Sequence, residues 1–289
     1  MTTVVYGEDA EVYHANPAIG SSLAKKMMES PALFHAAIVD KNNGEQMKPT
    51  KAMLFGTLFH LALLEPTAYK KKYIELPKEI TPKSADAKTY AKQAAVAGLE
   101  VLAPDDAKKI KGMLATMPER VRLALAEMDT EVVFRSESFG LQLQCRFDAI
   151  SRDHTYGFDI KTIAQIKKIK WQVEDMRYYF QNAFYRNVAA NGAGEKPKLD
   201  LVFVETVAPY RWKIAEFDVD FNAIGNCEFT TFLSLYNKCT ESGDWSDKSE
   251  VEILLEPSKR LLYSQEEDQD QAEAEYEETE NNEETETIQ

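Results

Sequence analysis

Two short segments joined by a turn constrain most strongly how this chain can fold. Residues 141–150 have the sequence Leu-Gln-Leu-Gln-Cys-Arg-Phe-Asp-Ala-Ile, in which apolar and polar residues alternate as they do along a half-buried strand, with Asp148 on the polar face. Residues 158–162 have the sequence Phe-Asp-Ile-Lys-Thr, and the polar run 152–157 is typical of a turn that closes a hairpin. The sequence therefore predicts a β-hairpin that brings Asp148 beside Asp159.

This hairpin places a lysine next to the two acids. Side chains alternate between the faces of a strand, so we expect Asp159 and Lys161 on one face and Ile160 in the core. Two carboxylates can share one divalent cation, and hard oxygen ligands select Mg²⁺, for which Mn²⁺ can substitute. An Asp-x-Lys triplet alone is common and is more often a solvated face or a weak surface ion pair, so its interpretation depends on the strand context.

A helix is predicted immediately downstream, over residues 171–185. Gln181 and Tyr185 are four residues apart and therefore share one face of it. Without the upstream strands, the ordinary interpretation would be a core tyrosine and an exposed glutamine. The order of these motifs resembles the PD-(D/E)xK nuclease superfamily and its RecB-like branch, in which a Gln-x-x-x-Tyr helix follows the lysine strand. The resemblance implies a catalytic set consisting of Asp148, Asp159, Lys161, Gln181 and Tyr185.

An apolar helix is predicted over residues 55–66, and His60 is its one ionisable group before Glu65. A single histidine in such a helix is usually a hydrogen-bonded core residue. The RecB-like branch, however, carries a metal-ligating histidine on a helix of this kind, and the spacing from Gly56 to His60 is similar to it. The resemblance implies metal ligation by His60, Asp148, Asp159 and the carbonyl of Ile160. Glu131 can assist a second metal, although a solvent-facing strand acid is the more ordinary interpretation.

The N-terminal third narrows the resemblance. Residues 13–22, 30–34 and 55–66 closely resemble the C-terminal nuclease domain of RecE, exodeoxyribonuclease VIII, and the similarity extends to residue 256. Locally, Ser22 and Ser30 are candidate helix N-caps, and Pro31 suits a first helical position.

The resemblance to RecE has functional implications. It implies an exodeoxyribonuclease that degrades one strand of linear duplex DNA from its 5′ end, leaving a 3′ overhang for recombination by strand annealing. It also implies a ring-shaped homotetramer, a RecT-type single-strand annealing protein as partner, and a bacterial or phage origin. Two alternatives stay open: an endonuclease of the same fold in restriction or repair, and a non-catalytic scaffold that binds DNA ends.

Basic residues follow the lysine strand, with Trp171 and Tyr178 interleaved. A basic run is usually a solvated face, but here it can also follow phosphates or wedge a duplex end. The candidates for DNA contact are Lys167, Lys168, Lys170, Trp171 and Arg177.

Later segments complete an expected α/β (α+β) architecture, a PD-(D/E)xK core with a central mixed sheet flanked by helices and a helical N-terminal elaboration. Strands are predicted over residues 198–206 and 210–218, and a helix over 221–240. Three scattered cysteines are too few for a disulfide framework, and the sequence shows neither an apolar span nor a secretory signal. These features favour a cytoplasmic protein that does not act at a membrane.

The net charge of −14 is concentrated at the C-terminus. Residues 264–289 contain 12 acids and no lysine or arginine, so the rest of the chain carries 36 acids and 34 bases. Such a segment cannot bury enough apolar surface to offset its ordering entropy. We therefore expect a nuclease domain over residues 1–263 and a disordered acidic tail over residues 264–289, which either solubilises the protein or mimics DNA.

Overall fold

A six-stranded mixed sheet forms the centre of the computed structural model, which describes residues 2–42, 49–190 and 194–247. The strands of the chain are β1 (Thr3–Val5), β2 (Tyr73–Glu75), β3 (Glu100–Leu102), β4 (Met128–Ser138), β5 (Leu141–Ser151), β6 (Tyr156–Ile163), β7 (Lys198–Glu205) and β8 (Trp212–Ala215). The central sheet has the order β1-β4-β5-β6-β7-β8, while β2 and β3 pair separately. Strands β6 and β7 are parallel and the other neighbours in the central sheet are antiparallel, as the predicted mixed sheet requires.

Helices cover both faces of the central sheet. They are α1 (Ala10–Ala15), α2 (Ser21–Glu29), α3 (Pro31–Asn42), α4 (Lys51–Leu64), α5 (Pro66–Lys72), α6 (Ala85–Val96), α7 (Pro104–Ala115), α8 (Glu119–Glu127), α9 (Ile169–Asp175), α10 (Tyr178–Val188) and α11 (Val219–Ser242), with a 3₁₀ turn at Ile166–Lys168. One core cluster joins α2, α3, α10 and α11 to β4 and β5. A second joins α4, α7 and α8 to β6 and β7. Because both faces of the sheet are covered, β7 is buried at every position after Lys198, and its residues 201–204 are all apolar.

The helix predicted over residues 171–185 is two helices, so that prediction was wrong. The break falls at Arg177, whose φ of 49° lies in the left-handed region. The amides of Met176 and Arg177 donate to the carbonyls of Gln172 and Glu174, which ends α9 and lets α10 start in a new direction. The Gln181 and Tyr185 pair lies wholly on α10, so its predicted spacing on one helix face is retained.

The predicted helix starts near the N-terminus were partly right. The Ser30 hydroxyl oxygen accepts from the Leu33 amide at 3.0 Å, and Pro31 is the first residue of α3. Ser22, in contrast, is an exposed residue inside α2, which begins at Ser21 after Gly20. The prediction of Ser22 as an N-cap was therefore wrong.

Two predictions concern residues beyond the described part of the chain. The acidic tail at residues 264–289 and the predicted end of the nuclease domain, residues 248–263, lie outside the described residues. Within the described ranges, no helix combines the length and apolar character needed to cross a bilayer.

Candidate active site

The β5–β6 hairpin opens at the two predicted acids. The strands pair at Ala149 with Phe158 and at Ile150 with Gly157, and Asp148 and Asp159 occupy the next facing positions. There the Ile160 amide donates to Asp148 Oδ2 at 2.5 Å. Asp148 and Asp159 are 8% and 3% exposed, so the hairpin holds two carboxylates in a nearly dry setting.

Asp159 is held by Lys161, which the sequence predicted on the same strand face, and by Gln181, which the resemblance implied as a catalytic residue. Lys161 Nζ lies 3.0 Å from Oδ1 and 2.8 Å from Oδ2, and Gln181 Nε2 donates to Oδ1 at 3.2 Å. Burial raises the pKa of Asp159, opposed by the Lys161 charge. Burial lowers the pKa of Lys161, but the Asp159 charge more than compensates, so the ammonium stays protonated. Ile160 points into the opposite core, as alternation along the strand predicted.

His60 reaches Asp148 from α4. Its Nδ1 lies 3.5 Å from Asp148 Oδ1. Burial disfavours the charged form of His60, yet the Asp148 carboxylate raises the pKa of the imidazole. Burial likewise opposes ionisation of Asp148, but the charge and hydrogen bond of His60 bring its pKa below the ordinary value. The structure thus brings His60 into the site, as the resemblance implied.

Glu131 corrects the sequence analysis, because it is not a solvent-facing strand acid. Residues 130 and 132 pair with 149 and 147, which places Glu131 opposite Asp148. Its side chain is 13% exposed and pairs with Arg146. Burial, and then the Asp148 charge, raises the pKa of Glu131 to about 7 against the opposing charge of Arg146. The signal was available: the Phe-Gly turn at residues 139–140 sets the β4–β5 register that pairs these acids.

These side chains suit a divalent cation. Ligand atoms of His60, Glu131 and Asp148 lie within 4.8 Å of one another. Asp159 Oδ2 is buried and makes no hydrogen bond of good geometry within the described residues. The Lys161 ammonium offsets the charge of this carboxylate, and a metal ion would offset it further, because buried carboxylates are costly unless they are paired or coordinate a metal. The donors, mainly hard oxygens with one imidazole, fit Mg²⁺ or Mn²⁺. Ligation by the Ile160 carbonyl stays a prediction.

Gln181 and Tyr185 both enter the protein interior. Gln181 is buried rather than exposed, because its amide bonds Asp159. The Tyr185 ring packs on Phe147 with centroids 5.5 Å apart, and burial raises the pKa of its hydroxyl well above the ordinary value. Among the described residues that hydroxyl makes no hydrogen bond, and its role in catalysis stays a prediction.

The predicted DNA-contact residues separate into two groups. Lys167, Lys168, Lys170 and Trp171 are exposed on the 3₁₀ turn and on α9, directly after the strand that carries Lys161. The Ile166 amide at the start of this segment donates to Glu205 at 2.7 Å, which ties it to the end of β7. Arg177 differs, because its guanidinium lies 2.8 Å from Glu228 Oε2. Arg177 therefore stabilises the junction of α9 and α10.

The two facing acids, the lysine beside them and the helices that flank the sheet define a domain of the PD-(D/E)xK class. A family described as "PDDEXK-like domain of unknown function (DUF3799)" matches residues 20–254, and the chain belongs to that family. This membership confirms the predicted superfamily, while the closer likeness to RecE stays a prediction.

A solved structure shows a similar fold. A putative exonuclease from Eubacterium rectale is similar with a TM-score of 0.59 and 15% identity, over 90% of this chain and 98% of that chain. At this identity the likeness supports the fold alone. The structure of SSO0001 covers 68% of this chain and 90% of its own, with 17% identity and a TM-score of 0.29, which is too low to carry an argument. No curated protein matches the sequence.

Proposed function

We propose that this protein is a divalent-metal-dependent deoxyribonuclease that degrades linear duplex DNA from its 5′ ends. Family membership and the fold support nuclease activity in general. The observation that carries the proposal is the convergence of Asp148 with the Asp159–Lys161 pair where the hairpin opens. His60 lies 3.5 Å from Asp148, and Gln181 donates a hydrogen bond to Asp159. A domain that only bound DNA ends would not need to bury two carboxylates against a lysine.

Each side chain has a definable task in phosphodiester hydrolysis. A bound Mg²⁺ would polarise a phosphoryl oxygen and lower the pKa of a bound water. His60, Glu131 and Asp148 would hold the cation. Asp159 would be a further ligand, because its buried Oδ2 accepts no hydrogen bond of good geometry within the described residues. The Lys161 ammonium, fixed by Asp159, binds the attacking water or an oxygen of the phosphate and offsets the charge that develops there. Gln181 keeps the Asp159 carboxylate in place.

The finer parts of the proposal rest on the resemblance to RecE. These are the 5′ polarity, the 3′ overhang left for strand annealing, the ring-shaped tetramer and the RecT-type annealing partner. The exposed Lys167, Lys168, Lys170 and Trp171 support contact with a nucleic acid beside the site, because cations and an aromatic ring can hold phosphates and bases.

The test uses linear duplex DNA labelled at either the 5′ or the 3′ end, together with a covalently closed circle. We expect Mg²⁺-dependent release of the 5′ label first, an intact circle, and loss of activity in Lys161→Ala. Lys88→Ala, an exposed lysine on α6, is the matched control and should retain wild-type activity.

The other outcomes are informative. Cleavage of the closed circle would replace the end-dependent proposal with an endonuclease. Equal inactivity of the wild type and Lys161→Ala with both Mg²⁺ and Mn²⁺ would refute the nuclease proposal.

A further inference from the structure

Lys25 is a half-buried cation beside the candidate active site. It lies on α2, and its ammonium donates to the Met176 carbonyl at 2.7 Å. It also lies 5.5 Å from the centroid of the Tyr178 ring. Neither the sequence motifs nor the catalytic set described above includes it.

The Tyr178 ring connects Lys25 to the catalytic lysine. Lys161 Nζ lies 5.0 Å from the same centroid. The two ammonium groups therefore approach one side chain, and their separation cannot exceed the sum of the two distances. Both ammonium groups are therefore near enough to contact phosphates of one nucleic-acid strand.

The charges around Lys25 are not balanced. Lys161 is paired with Asp159, and Arg177 is paired with Glu228. Within the described residues, no carboxylate lies within ion-pair distance of Lys25, and its ammonium donates to a neutral carbonyl, that of Met176. Burial, and then the charge of Lys161, lowers the pKa of Lys25 to about 7. An ammonium that has lost part of its hydration is costly unless an anion accompanies it.

A purely structural role is the competing explanation. The Met176 carbonyl lies at the end of α9, where cations are favourable, so Lys25 could simply tether that helix end. A tether alone, however, does not need a second ammonium against the ring that Lys161 already contacts. An approaching anion would satisfy the Lys25 protons that the carbonyl leaves available.

We propose that Lys25 forms a second phosphate-binding position in the cleft, which takes a backbone phosphate adjacent to the one that is cleaved. This inference rests on the proposed nuclease function and deepens it, because it fixes a second point of the DNA strand. The charge-assisted contact would position the strand so that the scissile phosphate meets Lys161 and the acids.

The test is a coupling measurement on DNA binding in Ca²⁺, read by fluorescence anisotropy. The probes are duplexes with a single methylphosphonate, which removes one backbone charge, at each linkage near the 5′ end. Lys25→Met retains the stem and removes the charge, and Lys26→Met on the same helix is the matched control. Thermal unfolding of each variant reports any loss of the tether.

We expect Lys25→Met to bind unmodified duplex about tenfold more weakly, as for the loss of one charge-assisted hydrogen bond. At one linkage the methylphosphonate should weaken binding by the wild type and by Lys26→Met but not by Lys25→Met. Equal weakening in all three proteins at every linkage would overturn the phosphate position, even if Lys25→Met unfolds at a lower temperature.

The two proposals can fail separately. The coupling is the loss of the methylphosphonate effect in Lys25→Met. If the wild type hydrolyses unmodified duplex but the coupling is absent, the Lys25 proposal alone is refuted. The coupling in Ca²⁺ without any hydrolysis in Mg²⁺ or Mn²⁺ refutes the nuclease proposal and supports the phosphate position. Absence of duplex binding by the wild type refutes both.

Discussion

Asp148 and Asp159 face each other one position beyond the last paired residues of β5 and β6, and the Ile160 amide donates to Asp148 Oδ2 at 2.5 Å. Had the ladder continued, regular pairing would have held the strands together at this position. Because the strands separate here, the acids border a cleft that α4 enters with His60 and α10 enters with Gln181. The opening of one hairpin thus creates the place where a cation and a phosphate can meet.

Divalent cations should stabilise the folded protein through this cleft. We expect the melting temperature of chelator-treated wild type to rise with Mg²⁺ or Mn²⁺, because ligands that bind only the folded state stabilise it by about 2.7 kcal/mol at a hundredfold excess over Kd. Asp148→Asn removes a ligand and should abolish the shift. Calorimetric titration and thermal unfolding measure it, with the exposed Asp175→Asn as control. An undiminished shift in Asp148→Asn would place the cation elsewhere.

Tyr185→Phe separates a catalytic from a packing role. The ring packs on Phe147, and this contact survives the substitution, so the melting temperature should not change. If the hydroxyl binds the scissile phosphate, kcat for DNA hydrolysis falls by about tenfold or more. Tyr236→Phe is the control, because Tyr236 packs on Phe34 and Trp245 in the same core cluster. Unchanged kcat in Tyr185→Phe would make Tyr185 a core residue only.

The sequence predicted the central part of the site because local periodicity determines it. Alternation along the strand is sufficient to place Asp159 and Lys161 on one face and Ile160 on the other. The short turn at residues 152–155 is sufficient to place Asp148 opposite Asp159. Spacing on a helix is likewise enough to pair Gln181 with Tyr185.

The parts that escaped prediction depend on contacts between distant segments. Arg177 adopts its left-handed conformation next to an ion pair with Glu228 on α11, which no local pattern reveals. The turn at residues 139–140 sets the register of Glu131, but its burial beside Arg146 depends on the assembled sheet and site. Lys25 comes from α2, whose position beside α9 is a property of tertiary packing. Such features require the assembled core.

Glu131 should make stability depend on pH in the metal-free protein. Its folded pKa of about 7 lies above the ordinary value of 4.5, mainly because of burial. Between these values the folded protein retains a proton that the unfolded chain has released. The contribution of Glu131 is therefore fully present below pH 4.5 and is lost as pH rises through 7.

Glu131→Gln should therefore weaken the dependence of the free energy of unfolding on pH, since a neutral amide does not titrate. The expected difference in the free energy of unfolding between pH 5 and pH 8 is on the order of 1–3 kcal/mol. Urea denaturation in EDTA measures it, and Glu127→Gln, at an exposed position on α8, serves as control. Parallel curves for wild type and Glu131→Gln would show that Glu131 is ionised throughout this range.

Gly225 lets α10 approach α11 closely enough to place Gln181. A Cβ at Gly225 would lie 2.5 Å from the Tyr179 carbonyl oxygen and 3.0 Å from Ala183 Cβ, so the helices would have to move apart. We expect Gly225→Ala to lower the free energy of unfolding by about 1–3 kcal/mol, as overpacking does. It should also reduce nuclease activity, because α10 carries the side chain that holds Asp159.

Gly56→Ala is the matched control, because it makes the same change inside another helix. Its Cβ would meet the Thr162 hydroxyl oxygen at 3.5 Å, an ordinary contact, and alanine favours a helix over glycine by about 0.5–1 kcal/mol. The two substitutions should therefore shift the urea midpoint in opposite directions. If Gly225→Ala is as stable as Gly56→Ala, helix propensity outweighs the contact, and the close approach of α10 to α11 is not what positions Gln181.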